Sequence, residues 1–188
     1  MRKKRRISAI VSIGLFSWSQ VNALSLEQVD QRLELHSMDK LRSVQSVPEN
    51  NIAAFKTDGC SGGLSDGWRY LAELFPSFKE KFGSKPPWES CCIAHDRVYW
   101  RGETENGYVD RKQADHELKA CVIETGVALS EELARQFGKP RQDIENAFVI
   151  AAEIMYRAVR IGGKPCTGLP WRWGFGWPDC PIFPVEDE

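Results

Sequence analysis

No stretch of this chain is apolar for long enough to cross a bilayer. The longest apolar run, Ile7 to Trp18, covers about a dozen residues, well short of the ~20 that a spanning helix needs. Internal repeats and low-complexity tracts are missing too, and there is little of the two-residue alternation that marks strands. These absences argue against a membrane-spanning helix, a solenoid and a β-rich architecture. Basic charge is also scarce beyond the start of the chain. Five of the 25 basic residues are Arg2, Lys3, Lys4, Arg5 and Arg6, and none of the 26 acidic ones precedes Leu24, so residues 24–188 carry 20 basic against 26 acidic groups, a net charge near −6. That balance disfavours nucleic acid as a partner, and it disfavours attraction to anionic membranes through a basic patch.

What is present begins with an export signature. A basic start, the apolar run and Val21-Asn22-Ala23 form the pattern that a signal peptidase cuts after. The expectation is a signal peptide over 1–23 and a secreted or periplasmic protein whose remaining 165 residues, 24–188, make one domain. All six cysteines (Cys60, Cys91, Cys92, Cys121, Cys166, Cys180) follow the leader. An even number in an oxidising compartment reads as three disulfides.

The expected fold class is mainly α. Residues 24–55 suggest one or two short helices around Leu24 to Leu35 and a loop through Pro48 to Asn51. A glycine-rich loop, Thr57-Asp-Gly-Cys-Ser-Gly-Gly63, precedes an amphipathic segment from Trp68 to Phe82 that Pro76 interrupts. Pro86-Pro87 introduces a helix from Trp88 to Arg101, closed by Gly102. Asp110 with Gln113 has the form of a capping box, so a second helix is predicted from there to Thr125, before Gly126. A third runs from Gln142 to Arg160 and ends at Gly162-Gly163. Its stripe of Ile144, Phe148, Ala151, Ala152, Met155 and Val159 has helical period and reads as core.

Chemistry concentrates on the two facing helices. In Cys91-Cys-Ile-Ala-His-Asp-Arg-Val-Tyr99, helical spacing lines up Cys91, Cys92, His95, Val98 and Tyr99 on one broad inward stripe, with Asp96 about 100° round at its flank. A lone histidine in such a place is more often a satisfied core residue than a catalyst. The second helix changes the odds: Asp115 falls beside Leu118 and Val122 on an apolar face, and a buried carboxylate needs a partner. Asp110 reads as a cap only, and His116 is rotated to the other side. Adjacent cysteines on a helix diverge by about 100°, so Cys91 and Cys92 must pair with different segments. If the helices are antiparallel and Cys91 bonds Cys121, four residues forward to His95 (about 6 Å) and six back to Asp115 (about 9 Å) bring the two side chains level.

These residues carry a resemblance. Cys-Cys-x-x-His-Asp-x-x-Tyr, and an Asp six residues before a cysteine on the next helix, resemble the active-site helices of secreted phospholipases A2. The Asp58-Gly-Cys-Ser61 loop is most similar to the divergent group XII type. The likeness spans roughly residues 56–125. It implies a disulfide-linked antiparallel helix pair with a glycine-rich calcium loop, plus additional helices. It also implies calcium-dependent hydrolysis of a phospholipid acyl ester, at the sn-2 position. His95 would be the general base, Asp115 its orienting partner with help from the Tyr99 hydroxyl, and Asp96 with carbonyls at Gly59, Ser61 and Gly63 would hold Ca²⁺. Cys91 then pairs with Cys121, Cys60 with Cys92 to anchor the loop beside Asp96, and Cys166 with Cys180 by default. The chain departs from the family at Val98 and Ala114, where a further cysteine pair is usual, and in the spacing of its glycine loop.

Two other readings compete. A zinc site from Cys91, Cys92, His95 and His116 is disfavoured because neighbouring helical cysteines point apart and export favours disulfides. A non-catalytic lipid- or protein-binding relative would keep the cysteines and the core without needing His95, Asp96, Asp115 and Tyr99 together. The tail Pro170-Trp-Arg-Trp-Gly-Phe-Gly-Trp-Pro178 offers Trp171, Trp173 and Trp177 as a peripheral membrane contact, or as the cover of a small core.

Overall fold

A computed structural model describes residues 25–57, 59–60, 80–83 and 85–181. The signal peptide expected over 1–23, the loop residues Asp58, Ser61 and Gly63, and most of the segment expected over 68–82 lie outside the described residues. Within them the protein is mainly helical, with four long helices, no strand and three disulfides. None of these helices is long and apolar enough to cross a membrane.

Helix α1 covers Leu26–Ser46, 21 residues where the sequence suggested one or two short pieces. Ser25 caps it through a reciprocal capping box with Gln28. Its buried side is the stripe Glu34, Met38, Leu41 and Val44, an i, i+4, i+7, i+10 pattern whose first member is charged. Helix α2, Glu89–Arg101, ends at Gly102, which adopts the left-handed conformation (φ 59°). A Cβ there would stand 2.2 Å from Gly174 Cα, so both conformation and space call for glycine.

Helix α3 is Gly107–Phe137, 31 residues long. It starts three residues before the expected capping box and runs through Gly126 for eleven more. Asn106, not Asp110, is the N-cap residue, and no side chain caps the helix. Gly126 is a contact rather than a stop: a Cβ on it would sit 2.4 Å from Phe148 Cβ, so its bareness lets α3 approach helix α4, Arg141–Gly162. The α3–α4 hairpin is antiparallel. Glu131 pairs with Arg141 and Lys119 with Glu153, and His116 stacks on Tyr156, partner numbers rising as α3 is followed backwards.

Two apolar clusters result. One joins α2, α3 and α4 through Cys91, Cys92, Leu118, Val122, Leu133, Phe148, Ala152 and Met155. The other joins α1 to the tail through Met38, Leu41, Tyr99, Ala114 and Trp173. The tail also closes the end of α2, whose last carbonyls have no partner within the helix. Gly174 N donates to Tyr99 O (2.7 Å), Gly176 N to Trp100 O (3.1 Å) and Trp177 Nε1 to Arg101 O (2.8 Å). Trp173 is fully buried, edge-on to Tyr99, with Nε1 bonded to Glu103 O at 3.0 Å. It is therefore core, and its suggested part in a membrane contact is withdrawn. Trp171 and Trp177 are half-buried.

Candidate active site

The pairings Cys60–Cys92, Cys91–Cys121 and Cys166–Cys180 are those expected. Cys91–Cys121 ties α2 to α3 and fixes their register. One turn further along α2, His95 Nε2 meets Asp115 Oδ1 at 3.0 Å. One turn further still, the Tyr99 hydroxyl donates to the same Oδ1 at 2.5 Å. His95 is 7 % exposed and Asp115 has no exposed surface, so the pair lies out of water except where His95 reaches a cavity.

That cavity has a volume of about 150 Å³. His95, Asp96, Gly59 and the Cys60–Cys92 bridge form one side, and Leu118, Ile154, Met155, Ala158, Val159 and Trp171 form apolar walls. With Nε2 turned to Asp115, the other ring nitrogen, Nδ1, lies on the side of Asp96, 3.8 Å from its Oδ1. Asp96 Oδ2 accepts the Thr57 hydroxyl at 2.5 Å, and that hydroxyl in turn accepts Gly59 N at 3.1 Å. Thr57 thus links the start of the glycine loop to the carboxylate, a contact the sequence did not suggest.

The sequence reading also missed the polar set behind Asp115. Arg111, fully buried on α3, directs Nε and Nη2 to the two oxygens of Glu34 at 2.6 and 2.5 Å, and Nη1 to the Tyr99 hydroxyl at 3.1 Å and Val159 O at 3.0 Å. Arg160, from the last turn of α4, directs Nη1 to Asp115 Oδ2 at 2.8 Å and Nη2 to Glu34 Oε2 at 3.1 Å. Signals existed for two of the three. Arg111 stands four residues before Asp115 on one stripe of α3, and Glu34 stands four before Met38 on α1.

This surrounding sets the protonation states. Burial alone pushes the Asp115 carboxyl upward, but the His95 hydrogen bond, the Arg111 charge and the Tyr99 and Arg160 hydrogen bonds outweigh it and hold the group below the usual carboxylate range. For His95, burial pushes the imidazole down, and the hydrogen bonds and charges of Asp115 and Asp96 more than reverse that, leaving it raised. Burial, reinforced by the Asp115 charge, keeps Tyr99 a neutral phenol, well above its ordinary value. The arrangement is an anionic carboxylate hydrogen-bonded to a buried histidine that lines a cavity, with a second carboxylate 3.8 Å from the other ring nitrogen.

His116, by contrast, is exposed against Tyr156, and Asp110 is partly exposed in the first turn of α3, so neither joins the site. No group of three or more His, Cys, Asp or Glu side chains that could hold a metal occurs among the described residues. The donors at the cavity are one carboxylate, Asp96, and the disulfide-anchored backbone at Gly59 (φ 86°). A carboxylate and peptide carbonyls are hard oxygen donors, which fit a hard cation such as Ca²⁺ and not a thiophilic one. No protein-family model, curated protein or solved structure matches the chain.

Proposed function

We propose that the protein is a calcium-dependent phospholipase A2, hydrolysing a phospholipid acyl ester at the sn-2 position to release a fatty acid and a lysophospholipid. The observation that carries this reading is a buried His95–Asp115 pair at the wall of a largely apolar cavity, with the second histidine nitrogen 3.8 Å from the Asp96 carboxylate. The likeness of the Cys91-to-Tyr99 and Asp115-to-Cys121 segments to secreted phospholipases A2 supports the same reading.

In this mechanism His95 Nδ1 takes a proton from water as the water oxygen adds to the ester carbonyl carbon. Asp115, anionic and bonded to Nε2–H, stabilises the imidazolium that forms, and the Tyr99 hydroxyl holds the carboxylate in place. Collapse of the tetrahedral species breaks the bond to the lysophospholipid oxygen, which leaves with the proton from Nδ1. A positioned base of this kind contributes about 100- to 10,000-fold. Asp96 and the carbonyl of Gly59, with those of Ser61 and Gly63, would hold Ca²⁺, which supplies a Lewis acid for the carbonyl oxygen. The walls from Leu118 to Trp171 suit an acyl chain, since they present carbon to the cavity and no charge. Export through the signal peptide would bring the enzyme to lipid outside the cytoplasm, with Trp171 and Trp177 available at the lipid surface.

The test is product analysis on vesicles of phospholipids with different acyl chains at sn-1 and sn-2, in Ca²⁺. Release of the sn-2 chain with an equal amount of lysophospholipid is expected. Vesicle binding without fatty acid release would make the protein a non-catalytic lipid-binding module.

A further inference from the structure

The two oxygens of Asp115 have different neighbours. Oδ1 receives His95 and Tyr99, both from α2. Oδ2 receives Arg160 at 2.8 Å, and the nearest Arg111 nitrogen is at 3.5 Å. A buried carboxylate with one bare oxygen is prone to take up a proton or to turn about its terminal torsion, and either change undoes the bond to His95. Arg160 opposes both.

Arg160 is itself held. Its second nitrogen bonds Glu34 Oε2, and Glu34 is bound through both oxygens by Arg111. Glu34, Arg111, Asp115 and Arg160 therefore close a ring of alternating charge, two acids and two bases, drawn from α1, α3 and α4 and touching α2 at His95 and Tyr99. Without Glu34, two guanidinium groups would face a single carboxylate in a largely buried place. The ring is a costly choice if stability were its only purpose, because apolar side chains of similar volume usually serve a buried site as well or better. Arg160 occupies its rim, with 16 % of its side chain exposed, and fills little of the core.

We propose that Arg160 is a positioning residue for the His95–Asp115 pair, locking the Asp115 carboxylate with Oδ1 toward His95 Nε2, and that Glu34 on α1 holds Arg160 in that pose. The inference rests on the ester-hydrolase reading for its kinetic consequence but not for its geometry. It makes α1 part of the catalytic assembly although α1 brings no residue to the cavity wall.

Arg160→Gln, Arg160→Lys and Glu34→Gln in the full chain decide the matter through three readouts: kcat and KM on phospholipid vesicles in Ca²⁺, thermal unfolding, and the ¹⁵N signature of the His95 tautomer in neutral imidazole. The Arg160→Gln variant is expected to lose about 10- to 100-fold in kcat with KM and Tm close to wild type. Its His95 should pass from the Nε2–H tautomer to a mixture. Arg160→Lys should recover much of kcat, since an ammonium can still reach Oδ2. Glu34→Gln, which leaves both arginines one charge short, should resemble Arg160→Gln if it folds. An Arg160→Gln variant with wild-type kcat and an unchanged tautomer overturns the proposal. So does a kcat loss that follows a collapse in Tm and is not relieved by lysine. The tautomer is read without substrate. If the wild type hydrolyses no ester and Arg160→Gln still shifts the tautomer, the enzyme reading falls and the positioning role stands.

Discussion

His95 Nε2 lies 3.0 Å from Asp115 Oδ1, and these residues stand four positions after Cys91 and six before Cys121, the two ends of one disulfide. The bond therefore does more than lower the entropy of the unfolded chain, since it also fixes how far α2 can slide along α3. Replacing both cysteines by serine is expected to reduce unfolding free energy by about 2–4 kcal/mol, the usual effect of removing such a link. At a temperature where the variant remains folded, turnover should fall as well, because the His95–Asp115 register is no longer clamped. Full activity in a folded double variant would show that the apolar cluster around Leu118 and Val122 holds the register alone.

Stability should fall on both sides of a middle pH range, and Asp115 should be responsible for much of it. The Asp115 carboxyl is held below the ordinary range, so its contribution is complete above the unfolded carboxylate value, about 4, and is lost as pH falls toward the folded value. His95 is shifted the other way. Its contribution is complete below about 6.5 and is lost as pH rises through the higher folded value. Urea unfolding across this range should give a bell for the wild type and a flatter curve for Asp115→Asn. Parallel curves would mean that other groups set the pH dependence.

Gly126→Ala is expected to destabilise the protein even though alanine favours a helix by about 1 kcal/mol over glycine. The new methyl would meet Phe148 Cβ and Cγ at 2.4 Å, and Cβ cannot move without shifting α4. A net loss of about 1–3 kcal/mol is the range for overpacking of this kind. Denaturant unfolding that shows a gain would mean that α3 and α4 stand further apart at Phe148 than a 2.4 Å approach of the new methyl implies.

The same glycine marks where sequence reasoning stops. Gly102 was legible as a helix end because an arginine precedes it and loop residues follow. Gly126 read the same way, yet only the position of Phe148, 22 residues on, reveals it as a packing contact. The register of His95 and Asp115 could be read from helical spacing and one assumed disulfide, both local rules. The ring behind Asp115 could not. Glu34 meets Arg111 and Arg160 across separations of 77 and 126 residues, and a charged residue on a helix ordinarily reads as solvent-facing. The tail tryptophans were ambiguous for a related reason: an aromatic cluster suits either a lipid surface or a core, and only the Trp173 contacts with Tyr99 and Glu103 separate the two.

Asp96→Asn is expected to weaken calcium binding at least tenfold by calorimetry, because it neutralises the one carboxylate assigned to the ion among carbonyl dipoles. Thr57→Val should have a smaller effect in the same direction, since it removes the hydroxyl that holds Asp96 Oδ2 at 2.5 Å without removing charge. Unchanged calcium affinity in Asp96→Asn would exclude Asp96 from the site.

The most direct measurement is fatty acid release from phospholipid vesicles by the wild type and by His95→Gln, each in Ca²⁺ and in excess chelator. Glutamine occupies a similar space but cannot accept the proton, so the variant should fold, as judged by an unfolding midpoint near that of the wild type. Release is expected from the wild type in Ca²⁺ alone, and none above background in the other three conditions. Release by His95→Gln at a rate near that of the wild type would rule out His95 as the base.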